Sequence, residues 1–166
     1  MKKSKAEFAR QLLKLEKKAF NEDLSDSEGA EMLSLVEHIF YDDHTVKDPK
    51  QKRRSYRIPI HASCEIEIDS KTVSCELVEV SHIGITLCGD VLDQYKNLSG
   101  FVLKTVSVGN QNVVLYLKCQ KLGKGTHEGK PTIGAKLDPD PGAAKLDKYY
   151  TSVYYPTYIA YLESMV

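Results

Sequence analysis

Arg53 and Arg57 are separated by three residues, with Lys52 and Arg54 flanking the first of them, inside the run QKRRSYRIPI at 51–60. Guanidinium groups so placed can grip phosphate oxygens two at a time, hydrogen-bond the O6/N7 edge of guanine and stack on a purine ring. One short run can therefore read base and phosphate together. Taken alone, a solvated linker or a nonspecific nucleic-acid patch would account for it equally well. About two dozen residues on, Ser81 and Gly84 fall where an alternating apolar pattern breaks, and a plain β-turn explains them by themselves.

Other chemistry-bearing residues lead less far. Glu37, His38, Asp42, Asp43 and His44 form the single His and carboxylate cluster in the sequence. A metal there would need ligands converging from a helix end and a flexible segment, so an acidic, solvated helix terminus is the expectation. Cys64, Cys75, Cys88 and Cys119 lie in strand-like segments without CxxC spacing and read as buried reduced thiols. There is no nucleophile elbow, phosphate loop or HExxH pattern. Neither catalysis, nor a resident cofactor, nor a metal is expected.

The elements that must position these residues are legible from periodicity. Ser4-Lys5-Ala6-Glu7 and Ser25-Asp26-Ser27-Glu28 are capping boxes, each opening an amphipathic stretch. The first carries an apolar stripe of Phe8, Leu12, Leu15 and Ala19, with Leu13 and Phe20 beside it; the second carries Met32, Leu35, Val36, Ile39 and Phe40. A helical hairpin of this size needs a covering partner, either the main domain or a second copy of itself, so a homodimer through these helices is one expectation. The period then changes. Ile58, Ile60, Ala62, Cys64, Ile66 and Ile68 alternate with polar residues, Asp69-Ser70-Lys71 supplies a turn, and Val73, Cys75 and Leu77 continue the alternation. Further strands are read at 83–87, 101–108, 113–122 and 132–137, with a hairpin turn at Gly109-Asn110-Gln111-Asn112. The fold class expected is mainly β, a small antiparallel six-stranded barrel, with an N-terminal helical hairpin and a C-terminal helix over 143–165. Pro156 should kink that last helix, which holds six of the ten tyrosines and could serve as a partner surface or as a lid on the barrel mouth. The domain boundaries expected are 1–44 for the two-helix extension, 45–57 for a basic linker and 58–166 for the barrel with its helix.

Charge follows the same divisions. The net charge of the 166 residues is zero, but residues 1–20 carry seven Lys or Arg against two Glu, residues 21–43 carry eight Asp or Glu and no Lys or Arg, and residues 47–57 carry six Lys or Arg against one Asp. No apolar run approaches the roughly 20 residues needed to span a bilayer, and the charged N-terminus lacks the apolar core of a signal peptide, so no membrane insertion and a cytoplasmic location are expected.

Arg53-Arg54-Ser55-Tyr56-Arg57-Ile58-Pro59-Ile60, followed by Glu79-Val80-Ser81-His82-Ile83-Gly84, resembles the two signature motifs of PilZ domains, bacterial receptors for cyclic di-GMP. Those motifs are RxxxR ahead of the first strand and D/N-x-S-x-x-G at a strand-to-strand turn. Ile133-Gly134-Ala135-Lys136-Leu137 is similar to the family's closing strand, and the resemblance covers about residues 51–160. It implies that Arg53 and Arg57 bind guanine and phosphate, that Ser81 hydrogen-bonds ligand or motif backbone, and that Gly84 permits the turn. The resemblance further implies that Lys52, before the first Arg, influences whether one nucleotide or a stacked pair is bound, and leans towards the pair. The departure is Glu79, where the family has Asp or Asn; its carboxylate lies one methylene further out and can still accept from guanine N1 and N2. The function this implies is a cyclic di-GMP receptor or adaptor switching a protein partner in a motility, pilus, biofilm or surface-polysaccharide system. Because the basic run lies between hairpin and barrel, ligand capture would change how the hairpin sits. A PilZ-like module that binds no nucleotide and acts through its helices remains open, favoured by Glu79. Single-stranded nucleic acid is a third reading with only Tyr56 as a stacking platform, and is not expected.

Overall fold

Serine caps start both N-terminal helices, as their spacing requires. The computed structural model describes residues 3–40, 56–95, 97–138 and 143–166. It divides into two compact units, 1–56 with 158–166, and 57–157. In the first unit α1 spans Lys5–Asn21 and α2 Asp26–Phe40. The Glu7 amide donates to Ser4 Oγ at 3.3 Å. At α2 the exchange is reciprocal, with the Glu28 amide donating to Ser25 Oγ and the Ser25 amide to Glu28 Oε1. The buried face of α1 is Ala9, Leu12, Leu13 and Leu15, while Ala19 is exposed and Phe20 is 76% exposed. The expected stripe is thus rotated. Ala9, Leu12, Leu13 and Glu16 make one three-and-four row, and its last member accepts a 2.7 Å hydrogen bond from the Tyr158 hydroxyl. The C-terminal residues of this unit also supply Tyr161, whose ring lies 5.7 Å from that of Phe40, and Phe40 in turn stacks on Tyr56 at 4.3 Å. The hairpin is covered from within its own unit.

The second unit is a closed antiparallel barrel of β1 (Ile58–Ile68), β2 (Lys71–Val80), β3 (Gly84–Cys88), β4 (Gly100–Val108), β5 (Gln111–His127) and β6 (Lys130–Leu137), in the order β1-β2-β3-β6-β5-β4. Closure removes every open edge. Ile58, Ile66, Leu77, Leu87, Leu103, Val106 and Leu117 fill the interior with almost no exposure. The β1–β2 turn is Asp69-Ser70, both at positive φ, which matches the right-handed twist of the strands it joins. Glu128-Gly129 does the same between β5 and β6. The sequence reading ended the fifth strand near 122. The structure carries it to His127, through Gly123 and Gly125, because backbone pairing with β6 holds a segment that has no apolar alternation to reveal it. A 3-10 helix at Asp90–Tyr95, unassigned from sequence, buries Leu92.

After β6 the chain is helical in three consecutive pieces: α3 (Ala143–Tyr149), a π-helical turn (Tyr150–Tyr154) and α4 (Tyr155–Ser164). The Tyr155 amide reaches back five residues to the Tyr150 carbonyl, so the helix widens immediately before Pro156 instead of clashing with it. Tyr149, Val153 and Tyr154 are buried in the barrel unit. No helix among the described residues is long and apolar enough to cross a membrane.

Lys18 Nζ and Glu28 Oε2 are 2.6 Å apart and tie α1 to α2. That bond, with the Ser25 amide, holds the Glu28 carboxyl down from 4.5 to about 2. A depressed carboxyl contributes stability that is fully present above its unfolded value and disappears as pH falls towards the folded one. Helicity followed by circular dichroism should therefore show an acid step between about pH 4.5 and 2. Glu28→Gln should lack this component, and superimposable acid titrations of the two proteins would refute the assignment.

Candidate functional site

Arg57 stands one residue before β1, and Glu79 sits one residue from the end of β2. Pro59 is the register partner of Glu79, so antiparallel pairing brings the arginine alongside the carboxylate. Simple alternation from Val73, Cys75 and Leu77 would aim Glu79 inward. The structure instead has a register shift between Leu77 and Glu79 against β3; Leu77 and Val78 are both buried, Glu79 is turned outward, and Val80 returns to the core. A bulge re-aims the side chain. Arg57 Nη1 then lies 3.4 Å from Glu79 Oε1, with the two side chains 44% and 35% exposed. Thr86 on β3, the register partner of Glu79, donates its hydroxyl to the same oxygen at 3.2 Å.

The turn that follows β2 is held from inside by one serine. The Ser81 amide donates to the Gly84 carbonyl at 2.9 Å, while Ser81 Oγ accepts from the Gly84 amide at 3.0 Å and from Ile83 at 3.4 Å. Ser81 is buried, and its hydroxyl is committed to this backbone. From outside, the Tyr149 hydroxyl donates to the Ser81 carbonyl at 2.8 Å and Tyr150 to that of His82 at 2.9 Å. Burial pushes the Tyr149 phenol upward, so it remains a donor. The His82 ring lies against Tyr150 and Tyr154 at 5.2 and 4.5 Å, and its partial burial lowers its pKa, which favours the neutral imidazole. Gly84 is required for a steric reason: a Cβ there would come within 2.6 Å of the Ala135 carbonyl oxygen on the paired strand.

Of the residues singled out from sequence, Arg57 and Glu79 are brought together, and Ser81 and Gly84 form the adjoining turn. Lys52, Arg53 and Arg54 lie outside the described residues, as do Asp42, Asp43 and His44. Among the described residues no group of three or more His, Cys, Asp or Glu is placed to hold a metal. Thr86, Tyr149 and Tyr150 were not identified in advance. Thr86 follows from the register once the bulge is known, whereas the tyrosines had no sequence signal beyond their abundance. Chemically, the outward cluster offers one guanidinium and one carboxylate, and partly exposed single-bond pairs of this kind are worth about 0–1 kcal/mol.

No family model matches the chain, and no curated protein matches it by sequence. Its structure is similar to that of K. pneumonia MrkH in complex with cyclic di-GMP, with a TM-score of 0.51 and 11% identity over 66% of this chain and 53% of that one. It also matches E. coli YcgR in complex with cyclic di-GMP (TM-score 0.47, 16% identity, 65% of this chain and 48% of that one). The Bacillus subtilis inhibitor of motility MotI/DgrA matches with a TM-score of 0.48 and 11% identity, over 64% of this chain and 52% of that one. The chain spans about half the length of these proteins. What is shared at such identities is fold, and the fold is PilZ-like.

Gly84→Ala forces a β-carbon against a strand backbone that closes the barrel. Denaturant unfolding should register a loss of about 1–3 kcal/mol, with amide shifts concentrated at 81–84 and 135. Wild-type stability in this variant would mean that the approach of Ala135 is not a constraint.

Proposed function

We propose that this chain is a cyclic di-GMP receptor that acts as an adaptor, binding the dinucleotide through the basic run at 52–57 and the surface around Glu79. The observation that carries the reading is the pairing of Arg57 with Glu79 on adjacent strand ends, beside a turn built from Ser81 and Gly84. Cyclic di-GMP presents two anionic phosphates and two guanine edges. Arg57, with Arg53, supplies the phosphate and guanine O6/N7 partners, and Glu79 accepts from guanine N1 and N2. Lys52 and Arg54 add positive charge to the same run. Ser81 and Gly84 act indirectly, by holding the backbone that ends β2.

In the free protein Glu79 keeps Arg57 at the surface through a weak contact. A phosphate can replace the carboxylate on the guanidinium at small cost, releasing Glu79 towards a guanine. MrkH, to whose structure the chain is similar, is in complex with this ligand, which supports the choice of dinucleotide. The output we assign is a switched protein interaction in motility, biofilm formation or surface-polysaccharide assembly. The same ion pair also favours a second reading, in which Glu79 permanently neutralises Arg57 and the chain works as a protein-binding module without nucleotide.

Calorimetry with cyclic di-GMP separates the two. Binding by the wild type at micromolar levels, weakened at least about tenfold (~1.4 kcal/mol) in Arg57→Ala, is the expected result. Absence of heat up to about 100 μM ligand, equivalent to less than ~5.5 kcal/mol of affinity, would reject the receptor and leave the protein-binding module.

A further inference from the structure

Cys64 on β1 and Cys75 on β2 are register partners, directly opposite each other in the antiparallel ladder, and their sulfurs are 3.5 Å apart. We propose that this pair is a reversible modification site, a cross-strand dithiol that is oxidised to a disulfide by a low-molecular-weight disulfide such as oxidised glutathione. Opposed residues in such a ladder have Cα atoms about 4.5–5.5 Å apart, within the roughly 4.4–6.8 Å that a disulfide spans. The sulfurs must close by about 1.5 Å to reach bonding distance, a change within reach of side-chain rotation on a fixed backbone.

Access comes from a groove of about 480 Å³ whose lining includes both cysteines. Its wall includes Ser74, Glu76 and Lys130, so it is polar enough to admit a charged peptide disulfide. The two thiols are not equivalent. Cys64 is 3% exposed, and its hydrogen bond with Cys75 and its burial push its thiol upward. Cys75 is half-buried and is the sulfur a reagent meets first. Cys88 also borders the groove, but it stands on β3 opposite Glu76, and its thiol points to the His127 carbonyl at 3.9 Å.

The chemistry balances in two exchanges. The Cys75 thiolate attacks one sulfur of the external disulfide, breaking that bond and releasing one small thiolate, with Cys75 left as a mixed disulfide. The Cys64 sulfur then attacks Cys75 Sγ, loses its proton to water, and expels the second small thiolate. One protein S–S bond forms, one external S–S bond breaks, and two electrons pass to the external disulfide, which leaves as two thiols.

The test is equilibration of the native protein in graded mixtures of reduced and oxidised glutathione. It is followed by acid quench, alkylation, intact mass and peptide mapping. The expected product has lost two of its four thiols, carries no glutathione, joins the peptides containing Cys64 and Cys75, and returns to four thiols with dithiothreitol. Cys88→Ser and Cys119→Ser should each still form the link. Cys75→Ser, at a half-buried position that tolerates a hydroxyl, should keep its fold by circular dichroism and form no intramolecular disulfide. Four alkylated thiols at every ratio would overturn the proposal. So would glutathione retained on Cys75, a Cys75–Cys88 link, or only intermolecular disulfides.

Discussion

The barrel closes through β3, a strand of five residues that must pair with β2 on one edge and with β6 on the other. So short a strand has little pairing of its own with which to set its register, and the turn that delivers it must be rigid. Ser81 supplies that rigidity by spanning the turn in both directions, accepting from the Gly84 amide while its own amide donates to the Gly84 carbonyl. The Leu137 amide then bonds the Ile83 carbonyl at 2.8 Å, and Ala135 approaches Gly84 so closely that no side chain fits between them. Tyr149 takes the Ser81 carbonyl, which would otherwise be a buried acceptor with no sheet partner. Serine, glycine and tyrosine are therefore parts of one closure, and any ligand surface on this side of the barrel inherits its precision from them.

Glu79 is presented by the same device. The bulge that precedes it buries Leu77 and Val78 in succession, and the rest of the strand is thrown out of phase, so a residue that alternation would bury is turned outward. The threonine opposite fixes where the carboxylate points. The Glu79 carboxylate is tethered on one side by Thr86 and on the other by Arg57.

Much of this was legible in the sequence, and the exceptions have definable causes. Period-two patterning located β1 and β2, and the antiparallel barrel followed from strand count and spacing. The far half of β5 was invisible because Gly123, Gly125 and their polar neighbours carry no burial signal, and only pairing with β6 makes them a strand. The arginine and glutamate were identified by type, but their mutual approach depends on a bulge that no local pattern announces. The cysteine pair was within reach. Once the turn is placed at Asp69-Ser70, a two-residue hairpin pairs Ile68 with Lys71 and, counting back along both strands, Cys64 with Cys75. Reading the turn one residue longer concealed that correspondence, and the thiols were assigned no role.

Two of the ion pairs among the described residues show how the same chemistry is put to different uses. Lys18 and Glu28 meet at 2.6 Å, and the carboxylate is further committed to a helix cap through the Ser25 amide, so releasing it would cost a cap as well as a charge contact. Arg57 and Glu79 meet at 3.4 Å through a single guanidinium nitrogen, supported by one hydroxyl. A guanidinium can form two parallel bonds to a phosphate, which are shorter and stronger than the one it makes here. The hairpin pair is thus bound into the fold, whereas the barrel pair leaves most of the arginine's donor capacity unspent on its carboxylate. An anion binding at Arg57 would gain bonds that Glu79 does not make, and under the proposed function that difference in geometry makes this contact the exchangeable one.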